Sequence, residues 1–204
     1  PKQQVEVLCE ALYTAKQVVD PWKRANTLRV VAKTFPPKHQ VEVLRSALHA
    51  ARQIEDLWKR TYALVYVVEK LPPEQQLDVL GEALHTAAQV DEQWLRADAV
   101  TYVANQFPLT TQLDTLQQAR RRAQALALTQ AQGIDNPRQR ILTLGQLAKS
   151  LEASQQEQVW QEILETITSW TATEDIVTAL HDLAQYLPTS QEGLVRRWLE
   201  IAQQ

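Results

Sequence analysis

The chain has 204 residues, a formal net charge of −3 at pH 7 and 45% hydrophobic residues, so it can bury a substantial core. A nucleic-acid groove needs a basic surplus to neutralise phosphates, and 21 basic against 24 acidic residues do not supply one. A single cysteine, Cys9, excludes an internal disulfide framework, and the four histidines show no metal-ligand spacing. We therefore expect no metal and no other cofactor.

The hydropathy pattern argues against membrane insertion. No apolar run approaches the roughly 18 residues of a transmembrane helix, and the chain does not open on a signal-like apolar region. These features favour a soluble, cytoplasmic protein without a membrane partner. Because methionine is absent and Pro1 already stands in phase with the pattern described next, we expect the chain to be part of a longer polypeptide.

An internal repeat organises the sequence. Residues 1–36, 37–72 and 73–108 share one pattern without a gap, and each of the three segments begins and ends with proline. A period of this length, 36 residues from Pro1 to Pro37 and from Pro37 to Pro73, is typical of a repeat architecture.

Each repeat predicts two helices, which we name helix A and helix B. In the second copy, apolar residues recur at the three- and four-residue spacing of a helix. Those of helix A are Val41, Leu44, Ala47, Leu48, Ala51 and Ile54, and those of helix B are Thr61, Leu64, Val67, Val68 and Leu71. Between them lies a polar turn, in which Asp20-Pro21 and Asn136-Pro137 have the character of an N-cap followed by proline at N1.

The fourth copy, residues 109–152, matches the pattern only if eight residues are inserted, with the match failing after Ala123. Its helix A would run from about Thr110 to Gln132, roughly 12 Å longer than the others. Residues 153–188 return to the original length, and residues 189–204 resemble one further helix that caps the array. The sequence thus predicts a single all-α domain over residues 1–204: a right-handed α-solenoid of about five antiparallel helical hairpins with a C-terminal capping helix.

Three sets of residues recur in the turn and at the start of helix B. Arg24, Arg60, Arg96 and Arg140 project inward, where a guanidinium can bind the free carbonyl groups at the end of helix A. The acids Asp20, Asp56 and Glu92 lie four residues earlier and could pair with these arginines. Trp22, Trp58 and Trp94 are expected to pack over the turn, with an exposed binding ridge as the alternative.

The face of helix A opposite the core carries our candidate partner-binding residues. They are Glu6, Glu10, Tyr13, Glu42, His49, Asp78, Glu82 and His85. A solvated helix face explains the same residues without a ligand. If the face does bind, its acids favour a basic or polar peptide.

Leu126 and Leu128 are added as candidates because the extra turns of the fourth helix A, with Ala125 and Ala127, could project and offer an apolar contact. Alternatively, these turns pack against their own chain.

The repeat resembles the tetratricopeptide-like superfamily of α-solenoids over the whole chain. The resemblance lies in the hairpin length, the closing proline and the small residues Ala47 and Ala51 at points of close helix approach. The W-x-R start of helix B at Trp22, Trp58 and Trp94 is similar to arrays in large bacterial signalling proteins, including NTPase-linked sensor regions. The resemblance implies a non-catalytic protein-binding or sensor module that binds its partner along a concave groove lined by helix A.

Three alternatives stay open beside this interpretation. A helical RNA-binding repeat protein would need basic groove residues where this chain has Glu6, Glu42 and Asp78. The chain could also be a helical accessory domain of an enzyme, although no nucleophile, zinc-hydrolase or phosphate-binding motif occurs in it. A homo-oligomer could form through the first repeat, which has no cap.

Overall fold

The fold is all-α, as the sequence predicts. The computed structural model describes residues 2–68, 71–107, 114–170 and 173–187. Within these ranges the regular structure consists of ten α-helices and one 3-10 turn, and no strand occurs. The helices are α1 (Lys2–Lys16), α2 (Pro21–Ala32), α3 (Pro37–Arg52), α4 (Leu57–Val68), α5 (Pro73–Ala88), α6 (Gln93–Ala104), α7 (Asp114–Gln132), α8 (Pro137–Ala148), α9 (Ala153–Thr168) and α10 (Thr173–Leu183), followed by the 3-10 turn η1 (Ala184–Tyr186).

The helices alternate between a longer and a shorter type. The odd-numbered helices correspond to helix A and the even-numbered ones to helix B of the predicted repeat. The described part of α7 has 19 residues, compared with 16 in α3, α5 and α9. Its predicted beginning near Thr110 and the predicted capping helix, residues 189–204, lie outside the described residues.

Short side-chain caps fix where helix B begins. The Asp20 carboxylate accepts a hydrogen bond from the backbone N–H of Lys23 at 2.7 Å, and Asn136 Oδ1 accepts one from Gln139 at 3.1 Å. In both cases proline follows at the first helical position, where its missing N–H costs nothing. The N-caps predicted at these two positions are confirmed.

The chain divides into two compact units, Pro1–Val90 and Asp91–Gln204. In the first unit α2 packs against α1, α3 and α4, and α4 packs against α3 and α5. In the second, α8 packs against α6, α7, α9 and α10. Successive helices of type B therefore contact each other within each unit. The single domain and the right-handed solenoid remain predictions.

The core of the second repeat follows the predicted pattern with one difference. Ala47 and Ala51 are fully buried, as are their counterparts Ala83 and Ala87, so helices approach closely at these small residues. Val43, which the periodicity did not select, is buried, whereas Val41 is half-buried.

A glutamine in the first turn of helix A links successive hairpins. The side-chain amides of Gln40, Gln76 and Gln156 donate to the carbonyls of Phe35, Leu71 and Ala148, at distances of 2.8, 2.8 and 2.9 Å. Each of these carbonyls belongs to the last turn of the preceding helix B or to the segment after it, where intrahelical donors run out. The glutamine thus satisfies a polar group at the junction of two repeats.

Helix α7 keeps the repeat register at its C-terminal end. Counted back from that end, Ala123, Ala127 and Ala131 take the positions of Val43, Ala47 and Ala51, and all three alanines are fully buried. In this register, residues 114–116 of α7 precede the position that corresponds to Pro37, the first residue of α3.

Candidate functional site

The arginine column holds the ends of helix A. Arg24, Arg60 and Arg140 each donate to the carbonyl six residues earlier, at 2.9, 2.6 and 3.4 Å. Arg96 donates to the carbonyl of Asp91 at 2.8 Å. A guanidinium at this place satisfies carbonyls that lack an intrahelical donor and lies at the negative end of the helix dipole. The structural role predicted for the column is confirmed.

Two of the turn acids, Asp20 and Asp56, cap helix B in the described part of the chain rather than pairing with Arg24 and Arg60. The carboxylates of Asp20 and Asp56 accept hydrogen bonds from the backbone N–H groups of Lys23 and Lys59, at 2.7 and 2.9 Å. An N-cap needs an acceptor next to the first helical N–H groups, so the geometry of the turn directs the acid there.

A groove of about 530 Å³ opens in the first unit beside α1, α2 and α3. We call it the first groove. Leu28, which is 1% exposed, and Ala50, which is also buried, supply its apolar floor. Its complete lining is Lys16, Arg24, Leu28, Glu42, Arg45, Ser46, His49, Ala50 and Gln53.

The charge of this lining is opposite to what the sequence suggested. Three cationic side chains, Lys16, Arg24 and Arg45, face the groove together with one carboxylate, Glu42. Arg24 is engaged at the end of helix A. Lys16 and Arg45 are exposed, and neither makes a hydrogen bond or ion pair with another residue in the described part of the chain. They are therefore available to a ligand.

A chain of hydrogen bonds orders one wall of the first groove. Arg24 Nη2 donates to Gln53 Oε1, and this fixes the orientation of the Gln53 amide. Its Nε2 lies 3.1 Å from Nε2 of His49, so the amide donates and the imidazole accepts.

Two of the predicted binding residues, Glu42 and His49, line the first groove. Glu6, Glu10 and Tyr13 are exposed on α1, with Tyr13 66% exposed, but they do not belong to the groove lining. Of the candidate residues predicted on helix A in the first two repeats, the structure therefore brings only some together in this groove.

The corresponding face between α3 and α5 contains an ion pair. Arg52 Nε donates to both carboxylate oxygens of Glu82, at 2.9 and 3.2 Å, and Arg52 Nη2 lies 2.7 Å from Glu82 Oε2. This hydrogen bonding raises the pKa of Arg52, an effect that partial burial opposes and the charge of Glu82 reinforces. Asp78 and His85 are exposed nearby on α5, and His85 Nε2 lies 2.9 Å from the Gln89 amide nitrogen.

Leu126 and Leu128 are half-buried on α7. Ala127, between them, is fully buried, and Ala125 is exposed. Residues 125–128 therefore do not all project beyond their neighbours, as the hypothesis required. Ala127 belongs to the buried alanine face of α7, which packs against other helices of the same unit. Partner binding by the two leucines remains a prediction.

Aromatic side chains cluster along the helix B surface of the first unit. The Trp58 and Tyr62 ring centroids lie 4.6 Å apart, those of Tyr62 and Tyr66 6.2 Å, and those of Trp22 and Tyr66 6.3 Å. The Arg29 guanidinium carbon lies 5.7 Å from the centroid of Tyr66. Trp22 and Trp58 are half-buried, so these rings largely pack against one another.

A second groove, of about 470 Å³, occurs in the second unit. It is lined by Trp94, Asp98, Asn136, Arg138, Gln139, Leu142, Thr143, Gln146 and Tyr186. Arg138 is held by an ion pair with Asp182 at 2.7 Å. Burial raises the pKa of Tyr186, and the charges of Asp98 and Asp182 add to the effect. The Lys149 ammonium lies 4.6 Å from the ring centroid of Tyr186, so the charged groups around this groove are largely engaged with their neighbours.

Sequence reasoning missed Lys16 and Arg45 in the first groove, and it did not select Ser46 as a binding residue. A signal existed in the differences between repeats, because Ser46 stands where the first and third copies have Glu10 and Glu82. Only the packing of α1, α2 and α3 shows that the substituted position borders a cavity.

No group of three or more His, Cys, Asp or Glu side chains forms a potential metal site within the ranges that the structure describes. In the same ranges no helix has both the length and the apolar character needed to cross a bilayer. Comparison with known protein families and with curated proteins found no match.

Proposed function

We propose that this chain is a non-catalytic protein-interaction or sensor module of a larger, bacterial signalling polypeptide. It is built as a right-handed solenoid of antiparallel hairpins and binds a peptide segment of its partner in the first groove. The observation that carries the proposal is the open groove beside α1, α2 and α3, with two cations available for a ligand. Its volume, about 530 Å³, lies within the range of roughly 300 to 1,000 Å³ found for ligand sites.

The chemistry of the lining suits an extended peptide. Lys16 and Arg45 offer donors to backbone carbonyls or acidic side chains, and Glu42 offers an acceptor to backbone N–H groups. Leu28 and Ala50 provide an apolar floor for a side chain of the ligand. This combination of an apolar floor and a few oriented polar groups is typical of recognition sites.

Hydrogen bonds within the groove wall support the same proposal. The Arg24 and Gln53 side chains are already bonded to the protein, so part of the wall does not have to be ordered when a ligand binds. Preorganisation of this kind reduces the entropic cost of association.

A random peptide library displayed on phage tests the proposed function directly. We expect selected peptides to bind the purified chain with micromolar affinity, and to lose binding in a Ser46→Trp variant, whose indole would fill the groove. Ser46→Ala is the matched control, because it removes the hydroxyl without filling space, and circular dichroism establishes that both variants fold. Failure to select any peptide, or equal binding to the Ser46→Trp variant, would contradict the proposal.

A further inference from the structure

We infer that the first groove selects peptide segments rich in aspartate and glutamate, an inference that rests on the proposed function. It adds the chemical class of the partner segment to that proposal. It replaces the basic or polar peptide that the acids of helix A suggested.

The first step is the comparison of two positions one repeat apart. Lys16 and Ser46 of the first groove correspond, 36 residues later, to Arg52 and Glu82. The later pair forms a bidentate ion pair, with Arg52 Nη2 at 2.7 Å from Glu82 Oε2. Because serine replaces the glutamate in the earlier pair, Lys16 has no carboxylate at the equivalent place.

The second step concerns Arg45. Its counterpart one repeat later is Gly81, so a cation is present in the first groove where the next repeat has no side chain. The first groove consequently holds three cations and one carboxylate, whereas the corresponding positions of the next repeat hold two of each. Carboxylates of a ligand can pair with Lys16 and Arg45, which lack a carboxylate partner in the described part of the chain.

The third step decides between an acidic peptide and a nucleic-acid backbone, which share negative charge. Glu42 lies in the groove and repels a charge on every unit of a phosphate backbone, whereas a peptide can place a backbone N–H at Glu42 and its carboxylates at Lys16 and Arg45. Single-stranded nucleic acids are bound largely by stacking on aromatic side chains, and no Phe, Tyr or Trp occurs in the described lining of this groove. The buried floor of Leu28 and Ala50 suits an apolar residue flanked by acids.

Fluorescence anisotropy with a defined probe tests the inference. The probe is a fluorescein-labelled peptide of about 12 residues that alternates Asp and Glu with Leu, and its partner peptide carries Asn and Gln in place of the acids. We expect the acidic peptide to bind at least tenfold more tightly at low salt, and binding to weaken as salt screens the charges.

Variants locate the effect. Lys16→Gln/Arg45→Gln should weaken binding of the acidic peptide about tenfold, since two exposed charge pairs are lost. Ser46→Glu should weaken it as well, because it recreates the arrangement of Arg52 and Glu82. Lys23→Gln/Lys33→Gln is the matched control: it removes the same charge from exposed residues outside the groove lining and should change affinity less than twofold.

Three outcomes overturn the inference, and each differs from failure of the proposed function. Equal binding of the acidic and amide peptides would show that carboxylates are not selected, even if library peptides still bind and are lost in Ser46→Trp. Equal weakening by the control pair would assign the effect to overall charge. Binding of oligouridylate with the same dependence on Lys16 and Arg45, and competition with the peptide, would identify phosphate as the occupant.

Discussion

The first two repeats present the same kind of helix A face to their neighbours but differ in how its charges are used. Lys16 and Ser46 border an open groove, while Arg52 and Glu82, at the same positions one repeat later, hold each other in an ion pair. Helix α3 takes part in both arrangements, with Ser46 in the first and Arg52 in the second.

Within one repeat, the arginine at the helix end is kept while the charges beside it differ. Arg24 and Arg60 are conserved between the two copies, and both bind the carbonyl six residues earlier. The substituted positions beside them alter charge and open space without changing the helices. Because each hairpin of a repeat protein contacts only its neighbours, two or three substitutions can change the charge of one hairpin surface and leave the other hairpins unaltered.

The largest effect on stability is expected from Leu64 and Leu28, the buried leucines at equivalent positions of the two repeats. Leu64→Ala should destabilise the protein by about 3 to 5 kcal/mol, since Leu64 is fully buried and the deletion leaves an enclosed cavity. Leu28→Ala should cost about 2 to 3 kcal/mol, because Leu28 lines the open groove and water can enter the space that it leaves. Urea unfolding followed by tryptophan fluorescence measures both, and equal losses would contradict the difference in openness.

The next effect concerns the shared arginine column. Arg60→Ala should lower the free energy of unfolding by about 1 to 3 kcal/mol, because the partly buried carbonyl of Ile54 loses its donor. Arg24→Ala should cost a similar amount and, in addition, weaken peptide binding, because Arg24 also orders Gln53 in the groove wall. Urea unfolding gives the first quantity and anisotropy the second. If Arg60→Ala weakened peptide binding as much as Arg24→Ala, the first groove and the face between α3 and α5 would not be functionally distinct.

Sequence periodicity predicted the helices because it records burial, which repeats with the fold. Ala47 and Ala51 recur where helices touch, and the N-cap role of Asp20 follows from its place before Pro21. The inward role of the arginines could also be predicted, since their column lies on the apolar stripe of helix B and next to the end of helix A.

The charge of the groove could not be predicted in the same way, because it depends on which residues of different helices meet. Glu6 and Glu42 share a position in the repeat, but only Glu42 lines the first groove. Gln124 is a second example: a polar residue at an apolar position of the pattern is 5% exposed, and it donates to the carbonyl of Ser150 at 2.6 Å. Periodicity identifies the buried face of a helix, but it does not identify the carbonyl that accepts the hydrogen bond of a buried side-chain amide.

A smaller effect, of opposite sign, is expected at the position that corresponds to Arg45. Gly81 lies within α5, and a Cβ added there would meet nothing within 4 Å. Gly81→Ala should therefore stabilise the protein by about 0.5 to 1 kcal/mol, because glycine in a helix interior carries an entropic cost. Gly145→Ala is the contrasting variant, since its Cβ would lie 2.7 Å from Leu183 Cδ2. A gain in urea midpoint for Gly145→Ala as large as that for Gly81→Ala would contradict this account.

The smallest effect is expected from the ion pair itself. Glu82→Gln should cost about 0.2 to 1 kcal/mol, because the side chains of Arg52 and Glu82 are 52% and 34% exposed and water screens them. The cost should shrink as salt is raised from 0.05 to 0.5 M in urea unfolding experiments. Since the pair raises the pKa of Arg52, this contribution is fully present below the ordinary arginine pKa and is lost only at strongly alkaline pH. The cost of Glu82→Gln should therefore stay constant between pH 6 and 9. If this cost changed with pH over that range, another titrating group would control the face between α3 and α5.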